Sequence, residues 1–319
     1  MKTKIFDSNY KDQKAISVES AVLKACFLPE LGGKMASLVF KDTAREFFVQ
    51  DPGKTYRVLR YDGSYTDSEC SGFDDMFPSI DPCCYERYPW AGVMVPDHGE
   101  VCSLHWNYEI RDDELVMWTY GVRFPYRLQK RIRFLRENSL RIDYQLINLS
   151  DFEMDFIWAA HPMINAEADA ELILPYPEDS AITCVYSTDK DFGSYGYPMK
   201  WPLAVRQDSG LQALNVSRHK SVRGINYKFY FNSKIPEGWF KYRYKSDQTT
   251  LTLSFPEEQV PYFSIWVNEG SFRDYYNFAP EPCTAAFDRI DRSVAHGMGS
   301  SLKARGEHRW HLAFDVERD

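Results

Sequence analysis

Three residues far apart in the chain are of types, and in settings, that can move protons. His98 lies in Pro96-Asp97-His98-Gly99-Glu100, where a proline and a glycine force a turn. A carboxylate on either side can orient the imidazole or raise its proton affinity. His161 follows the apolar run Phe156-Ile157-Trp158-Ala159-Ala160 and precedes Pro162, so the backbone stays extended there and the ring stands at a strand end. Glu281 sits between Pro280 and Pro282, whose rings stiffen the backbone and remove amide donors that would otherwise solvate the carboxylate. A stiffly presented carboxylate suits a general base, and an imidazole suits its acid partner. Each residue taken singly also has a plainer reading: a surface-loop histidine, a satisfied core histidine and a rigid surface turn.

Other chemistries have weaker signatures. His98, Glu100, His105 and His161 invite a metal reading, but the six residues between His98 and His105 are not the tight spacing of a dedicated site. No G-x-S-x-G elbow is present, nor a G-x-x-x-x-G-K-[ST] or G-x-G-x-x-G phosphate loop, which disfavours nucleophilic and nucleotide-dependent reactions.

The elements that must position these residues read as strands. Alternation of apolar and polar residues runs through Ala15 to Phe27 and Leu140 to Leu149, while helical spacing is scarce. RLQKRIRFL and LRIDYQLINLS, joined by Arg136-Glu137-Asn138-Ser139, predict a hairpin, so the arginines from Arg123 to Arg141 read as its solvent face. A second hairpin is expected between Tyr227–Phe231 and Trp239–Tyr244. Three segments break the rhythm and are expected to be site-bearing loops: Gly72 to Glu100, His161 to Asp169, and Asn268 to Arg292.

Composition sets the outer bounds. With 319 residues, 44% hydrophobic and 16% aromatic, the chain can bury a sizeable core as one domain. A formal charge of −8 without a basic stripe argues against a nucleic-acid partner. Seven cysteines without a C-x-x-C pair fit reduced thiols in the cytoplasm. The N-terminal segment has no apolar core of the signal-peptide kind and no run is long enough to span a bilayer, so neither export nor a membrane partner is expected. Nothing in the sequence bears on the number of subunits.

Taken in order, these segments resemble the aldose 1-epimerase or galactose mutarotase family. The resemblance begins at Leu28-Pro29-Glu30-Leu31-Gly32-Gly33-Lys34-Met35-Ala36-Ser37-Leu38 and continues through Gly72-Phe73-Asp74-Asp75-Met76-Phe77-Pro78 and Asp97-His98-Gly99. It then takes in His161-Pro162 and Glu281-Pro282 and closes at Leu302 to Glu307 and Trp310 to Val316. It implies an all-β chain, a large antiparallel sandwich forming a single domain over residues 1–319. It further implies interconversion of the anomers of a sugar without a cofactor. Glu281 would be the base for the anomeric hydroxyl, His161 the acid for the ring oxygen, and His98 a holder of the ring oxygen or a neighbouring hydroxyl. Asp74 and Asp75 would bind sugar hydroxyls and Trp266 would supply a stacking face. The segment from Tyr61 to Ile80 lacks the arginine that the family carries ahead of its first histidine, and the family's aspartate between the second histidine and the glutamate has no clear match, which marks a divergent branch. Arg57, Arg60 and Arg87 leave room for a phosphorylated sugar. Two alternatives stand beside the epimerase: a non-catalytic carbohydrate-binding or sensing protein, and a metal-assisted sugar isomerase using His98, Glu100, His105 and His161.

Overall fold

A computed structural model describes residues 3–168, 170–189, 194–205, 213–215 and 224–318. Among these, thirteen strands form one antiparallel sheet and eight form another. The larger sheet runs in the order Lys4–Tyr10, Gln13–Glu19, Leu23–Leu28, Lys34–Phe40, Phe73–Met76, Ala159–Pro162, Tyr276–Cys283, Tyr262–Glu269, Ile225–Phe231, Ala181–Ser187 and Tyr197–Lys200. Two short strands, Arg45–Glu46 and Ile164–Asn165, pair at its side. The smaller sheet runs Glu171–Ile173, Trp239–Tyr244, Thr249–Ser254, Glu307–Arg318, Ser139–Asn148, Tyr126–Arg136, Glu114–Tyr120 and Asn107–Arg111.

The two sheets are held face to face by rings and aliphatics that alternate inward along each strand. Phe73 of the larger sheet meets Phe314 of the smaller at 5.9 Å, and Phe263 meets Phe240 at 6.0 Å. Trp158 packs against the stacked rings of Tyr144 and Trp310. Each such side chain removed from water contributes about 1.5–3 kcal/mol, which is what fixes the register.

The Tyr126–Arg136 and Ser139–Asn148 hairpin forms as its alternation predicts, with Leu128 facing Leu146 and Ile132 facing Ile142. The second expected hairpin does not form. Ile225–Phe231 pairs with Tyr262–Glu269 and Ala181–Ser187 in the larger sheet, whereas Trp239–Tyr244 pairs with Thr249–Ser254 in the smaller. The intervening chain crosses between layers because both strands have an apolar face to bury against the same core. The three expected loops also need correction. Phe73–Met76, Ala159–Pro162, Tyr262–Glu269 and Tyr276–Cys283 are strands, so His161 and Glu281 stand within the sheet; Asp169, the expected end of the second loop, lies outside the described residues. Their polar residues mark a functional face of the sheet, which sequence alternation alone reads as irregular structure.

Candidate active site

The period of two along a strand assembles the site. On the larger sheet Tyr230, Ser264 and Glu281 lie in register across three strands, and Lys228 and Trp266 lie in register two residues away. They occupy the face turned from the smaller sheet, while Phe229, Phe231, Phe263 and Ile265 fill the interior. His161 arrives on the neighbouring strand, next to the one bearing Glu281. A loop brings His98 to the same face. Its φ is 59° and that of Gly99 is 76°, and its amide donates to the Ile80 carbonyl at 2.6 Å. A Cβ on Gly99 would stand 2.2 Å from the Phe77 carbonyl oxygen, so the turn that presents His98 requires glycine there.

His98, His161, Lys228, Trp266 and Glu281 line a cavity of about 370 Å³, within the usual size of small-molecule sites. Glu281 is fully buried and its two oxygens differ. Oε2 accepts from Ser264 Oγ at 2.9 Å and pairs with Lys228 Nζ at 2.6 Å, whereas Oε1 has no hydrogen-bond partner among the described residues and faces His161 Nε2 at 3.6 Å. Lys228 Nζ also meets Asp288 Oδ1 at 2.7 Å, and Tyr230 Oη donates to the same oxygen at 2.5 Å. Burial pushes the Glu281 carboxyl above its ordinary range, with Lys228 pulling it back down and Asp288 pushing it up. Burial acts against the Lys228 charge, but Asp288 and Glu281 outweigh it and hold the ammonium above the ordinary lysine range.

The two imidazoles are in unlike surroundings. His161 is held well below the ordinary histidine range, first by burial and then by the charges of His98, Lys228 and Lys34. Its Nδ1 is buried without a hydrogen-bond partner. His98 Nδ1 is 2.7 Å from Asp97 Oδ1, which leaves Nε2 for a ligand. Burial raises the Asp97 carboxyl, yet the hydrogen bond and charge of His98 outweigh it and leave it lowered. The ring of Tyr65 stacks on His98 at 4.0 Å and meets His161 edge-on at 5.9 Å, fixing both. Trp266, which lies 6.3 Å from His161, forms an aromatic wall with Phe272. Buried Asn226 on the cavity wall has a side-chain oxygen with no hydrogen-bond partner among the described residues.

His98, His161, Glu281 and Trp266 are therefore brought together, but the two aspartates expected to hold sugar are not. Asp74 shares the site face, yet its Oδ2 is taken by Lys34 at 2.9 Å and by the Tyr65 hydroxyl at 2.7 Å, and it lies beneath Tyr65 instead of on the cavity wall. Asp75, one residue along the strand, points the other way into the sandwich. It is buried against Lys130 at 2.8 Å and accepts from Trp158 Nε1 at 3.1 Å. The metal grouping of the alternative reading is not assembled either. Glu100 accepts from the Tyr61 hydroxyl and from the amides of Val122 and Arg123, and His105 is exposed away from the cavity. Among the described residues no three His, Cys, Asp or Glu side chains converge as a metal group. Arg57 pairs with Asp51, and Arg87 with Glu153 and Asp155; neither they nor Arg60 line the cavity. Lys228, Ser264, Tyr65 and Asp288 were not singled out in the sequence. For Lys228 the signal was there, a cation in the otherwise uncharged strand Ile225–Phe231.

Solved structures resemble this fold over the length of the chain. A protein of Synechocystis sp. PCC 6803 aligns over 100% of this chain and 97% of its own at 15% identity, with a TM-score of 0.66. A galactose mutarotase-like protein from Clostridium acetobutylicum aligns over 99% of each chain at 14% identity, with a TM-score of 0.65. The chain has the galactose mutarotase-like fold. A third mutarotase-like structure, the galactose mutarotase related enzyme from Lactobacillus acidophilus, covers 98% of this chain and 97% of its own at 11% identity and a TM-score of 0.62. No protein-family model and no curated protein matches the sequence. At such identities the likeness establishes the mutarotase-like sandwich, and the chemistry rests on the side chains of this chain.

Proposed function

We propose that the chain is an aldose 1-epimerase, which interconverts the α and β anomers of a free sugar by opening and reclosing its ring. The observation that carries the reading is the pairing of Glu281 Oε1 with His161 Nε2, 3.6 Å apart on the cavity wall, the carboxylate oxygen having no hydrogen-bond partner among the described residues. The hydroxyl oxygen and ring oxygen of a hemiacetal are both bonded to C1, so an acid and a base this close can address the two at once. Glu281 takes the proton of the anomeric hydroxyl as the bond from C1 to the ring oxygen breaks and C1 becomes a carbonyl carbon; the ring oxygen takes a proton from the acid. Rotation about C1–C2 presents the other face of the carbonyl, and the two transfers run in reverse. The raised affinity of Glu281 for a proton suits a base that must accept one from a weakly acidic hydroxyl.

His161 is assigned as the acid and His98 as the group that holds the ring oxygen or a neighbouring hydroxyl. Buried as it is, a protonated His161 is scarce and correspondingly acidic. One observation favours exchanging these roles: His98 is the imidazole whose Nδ1 has a carboxylate at 2.7 Å, a partner that fixes the ring and aims Nε2 at the ligand. Trp266 and Phe272 supply a face for the C–H side of a sugar ring. The seven cysteines, all without disulfides, support a reducing compartment. Among the described residues no helix is long and apolar enough to cross a membrane.

The test is polarimetry on freshly dissolved single anomers of a panel of free aldoses. The expected result is equilibration faster than buffer for at least one, abolished in His161→Gln and only weakened in His98→Gln; the opposite ranking assigns the acid to His98. Buffer rates throughout, with sugar binding still measurable, would support a carbohydrate-binding protein instead.

A further inference from the structure

The mutarotase reading needs a base and an acid, but it does not call for the lysine buried against the base. Lys228 lies in the cavity wall with its ammonium 2.6 Å from Glu281 Oε2 and 2.7 Å from Asp288 Oδ1, and it is about 6% exposed. Two carboxylates around one ammonium, deep in a sheet, are kept only where the geometry compensates the charges. Here it does so at every bridging oxygen and leaves Glu281 Oε1 without a hydrogen-bond partner among the described residues. Ser264 fills a second position on Glu281 Oε2 and Tyr230 a second position on Asp288 Oδ1.

We propose that Lys228 is the positioning residue of the base: bridged to Asp288, it ties down Oε2 of Glu281 and leaves Oε1 as the single atom that takes the substrate proton. The bridge also determines when that atom is free to act. Facing Glu281 are His161 from the neighbouring strand, Lys228 and Tyr230 from the strand beyond Ser264, Asp288 from the following loop, Cys283 on its own strand and His98 across the cavity. Lys228 is the one cation among them held charged by two carboxylates, and Asp288 opposes it. The two therefore act on Glu281 with opposite sign. Lys228 keeps it ionised, while Asp288 shares the ammonium and weakens that hold. A nucleophilic role for the lysine is disfavoured on the same geometry, because an amine held protonated has no lone pair to add to the aldehyde carbon of an opened sugar.

This inference rests on Glu281 being the base, and its test separates the two claims. Lys228→Met keeps the length of the side chain and removes its charge; Asp288→Asn keeps the acceptor for Tyr230 and leaves Lys228 to Glu281 alone. The titration of the Glu281 carboxylate is followed in the unliganded protein by isotope-edited infrared spectroscopy, with Glu281→Gln identifying the band. An opposite charge at this distance displaces a carboxyl titration by about one pH unit or more. Lys228→Met is therefore expected to move the Glu281 titration to higher pH by at least that much, and Asp288→Asn to lower pH. The acidic limb of kcat/KM should follow in the same directions. A titration that stays in place, or moves the same way in both variants, overturns the positioning role. If the two titrations move as expected but no sugar is turned over, the role of Lys228 stands and the epimerase reading fails.

Discussion

Replacing Asp75 by asparagine separates two accounts of this residue, the sugar ligand expected from its position in the sequence and the buried ion-pair member found in the fold. Asp75 and Lys130 are both about 1% exposed and 2.8 Å apart. The carboxamide keeps an oxygen for Trp158 Nε1 but turns an NH2 group toward an ammonium that has only donors. What remains is an uncompensated cation between two sheets, relieved in part by the Trp106 ring at 4.7 Å. Breaking a buried pair from one side costs about 3–5 kcal/mol. The loss has a ceiling, because a lysine side chain can shed its proton at pH 7 for roughly 5 kcal/mol. Asp75→Asn should thus lower stability by about 3–5 kcal/mol and the melting temperature by about 4–8 °C, measured by denaturant and thermal unfolding at pH 7. A loss below about 1 kcal/mol, or a loss of sugar binding at unchanged stability, would refute the ion-pair reasoning and return Asp75 to the sugar.

Two further perturbations probe the frame around the site. Burial raises the Glu46 carboxyl to about 7 against donors at Ser37, Leu38 and Phe48. An acid raised in the folded state binds its proton there at a pH where the unfolded chain has lost it, so its penalty is absent below the unfolded value, grows as pH rises to about 7 and is complete above. Glu46→Gln should therefore stabilise by about 2 kcal/mol at pH 8 and by almost nothing at pH 4.5, as thermal melts at the two pH values will show. Gly99→Ala would set a Cβ 2.2 Å from the Phe77 carbonyl oxygen at a φ of +76°. It should lower stability by at least about 2 kcal/mol in denaturant unfolding, and it should weaken turnover through displacement of His98.

What the sequence disclosed and what it hid differ by parity and distance. Alternation exposed the Tyr126–Asn148 hairpin because its two strands are neighbours in the chain and its inward residues, Lys130 apart, are mostly apolar. His98, His161 and Glu281 could be picked out because each sits beside a proline or glycine that constrains it. The partners of those residues were hidden. Whether Asp74 or Asp75 faces the site depends on a single-residue register that the pairings with Lys34–Phe40 and Ala159–Pro162 fix. Lys228 reaches Glu281 across two strand pairings 53 residues apart in sequence, and no local pattern encodes such a contact. Tyr227–Phe231 and Trp239–Tyr244 looked like a hairpin because both alternate, yet alternation says that a strand has a buried face and not which sheet that face completes.

The central claim is that Glu281 is the base of a ring-opening reaction. Two-dimensional exchange NMR on the anomeric protons of the aldose most readily turned over measures that reaction at equilibrium, in the wild type and in Glu281→Gln, with saturation transfer from protein to sugar reporting binding in both. The expected result is cross-peaks between the α and β anomers that grow with wild-type enzyme and fall to the buffer rate in Glu281→Gln, while saturation transfer to the sugar persists. Exchange that continues undiminished in Glu281→Gln, or wild-type exchange at the buffer rate with every aldose, would contradict it.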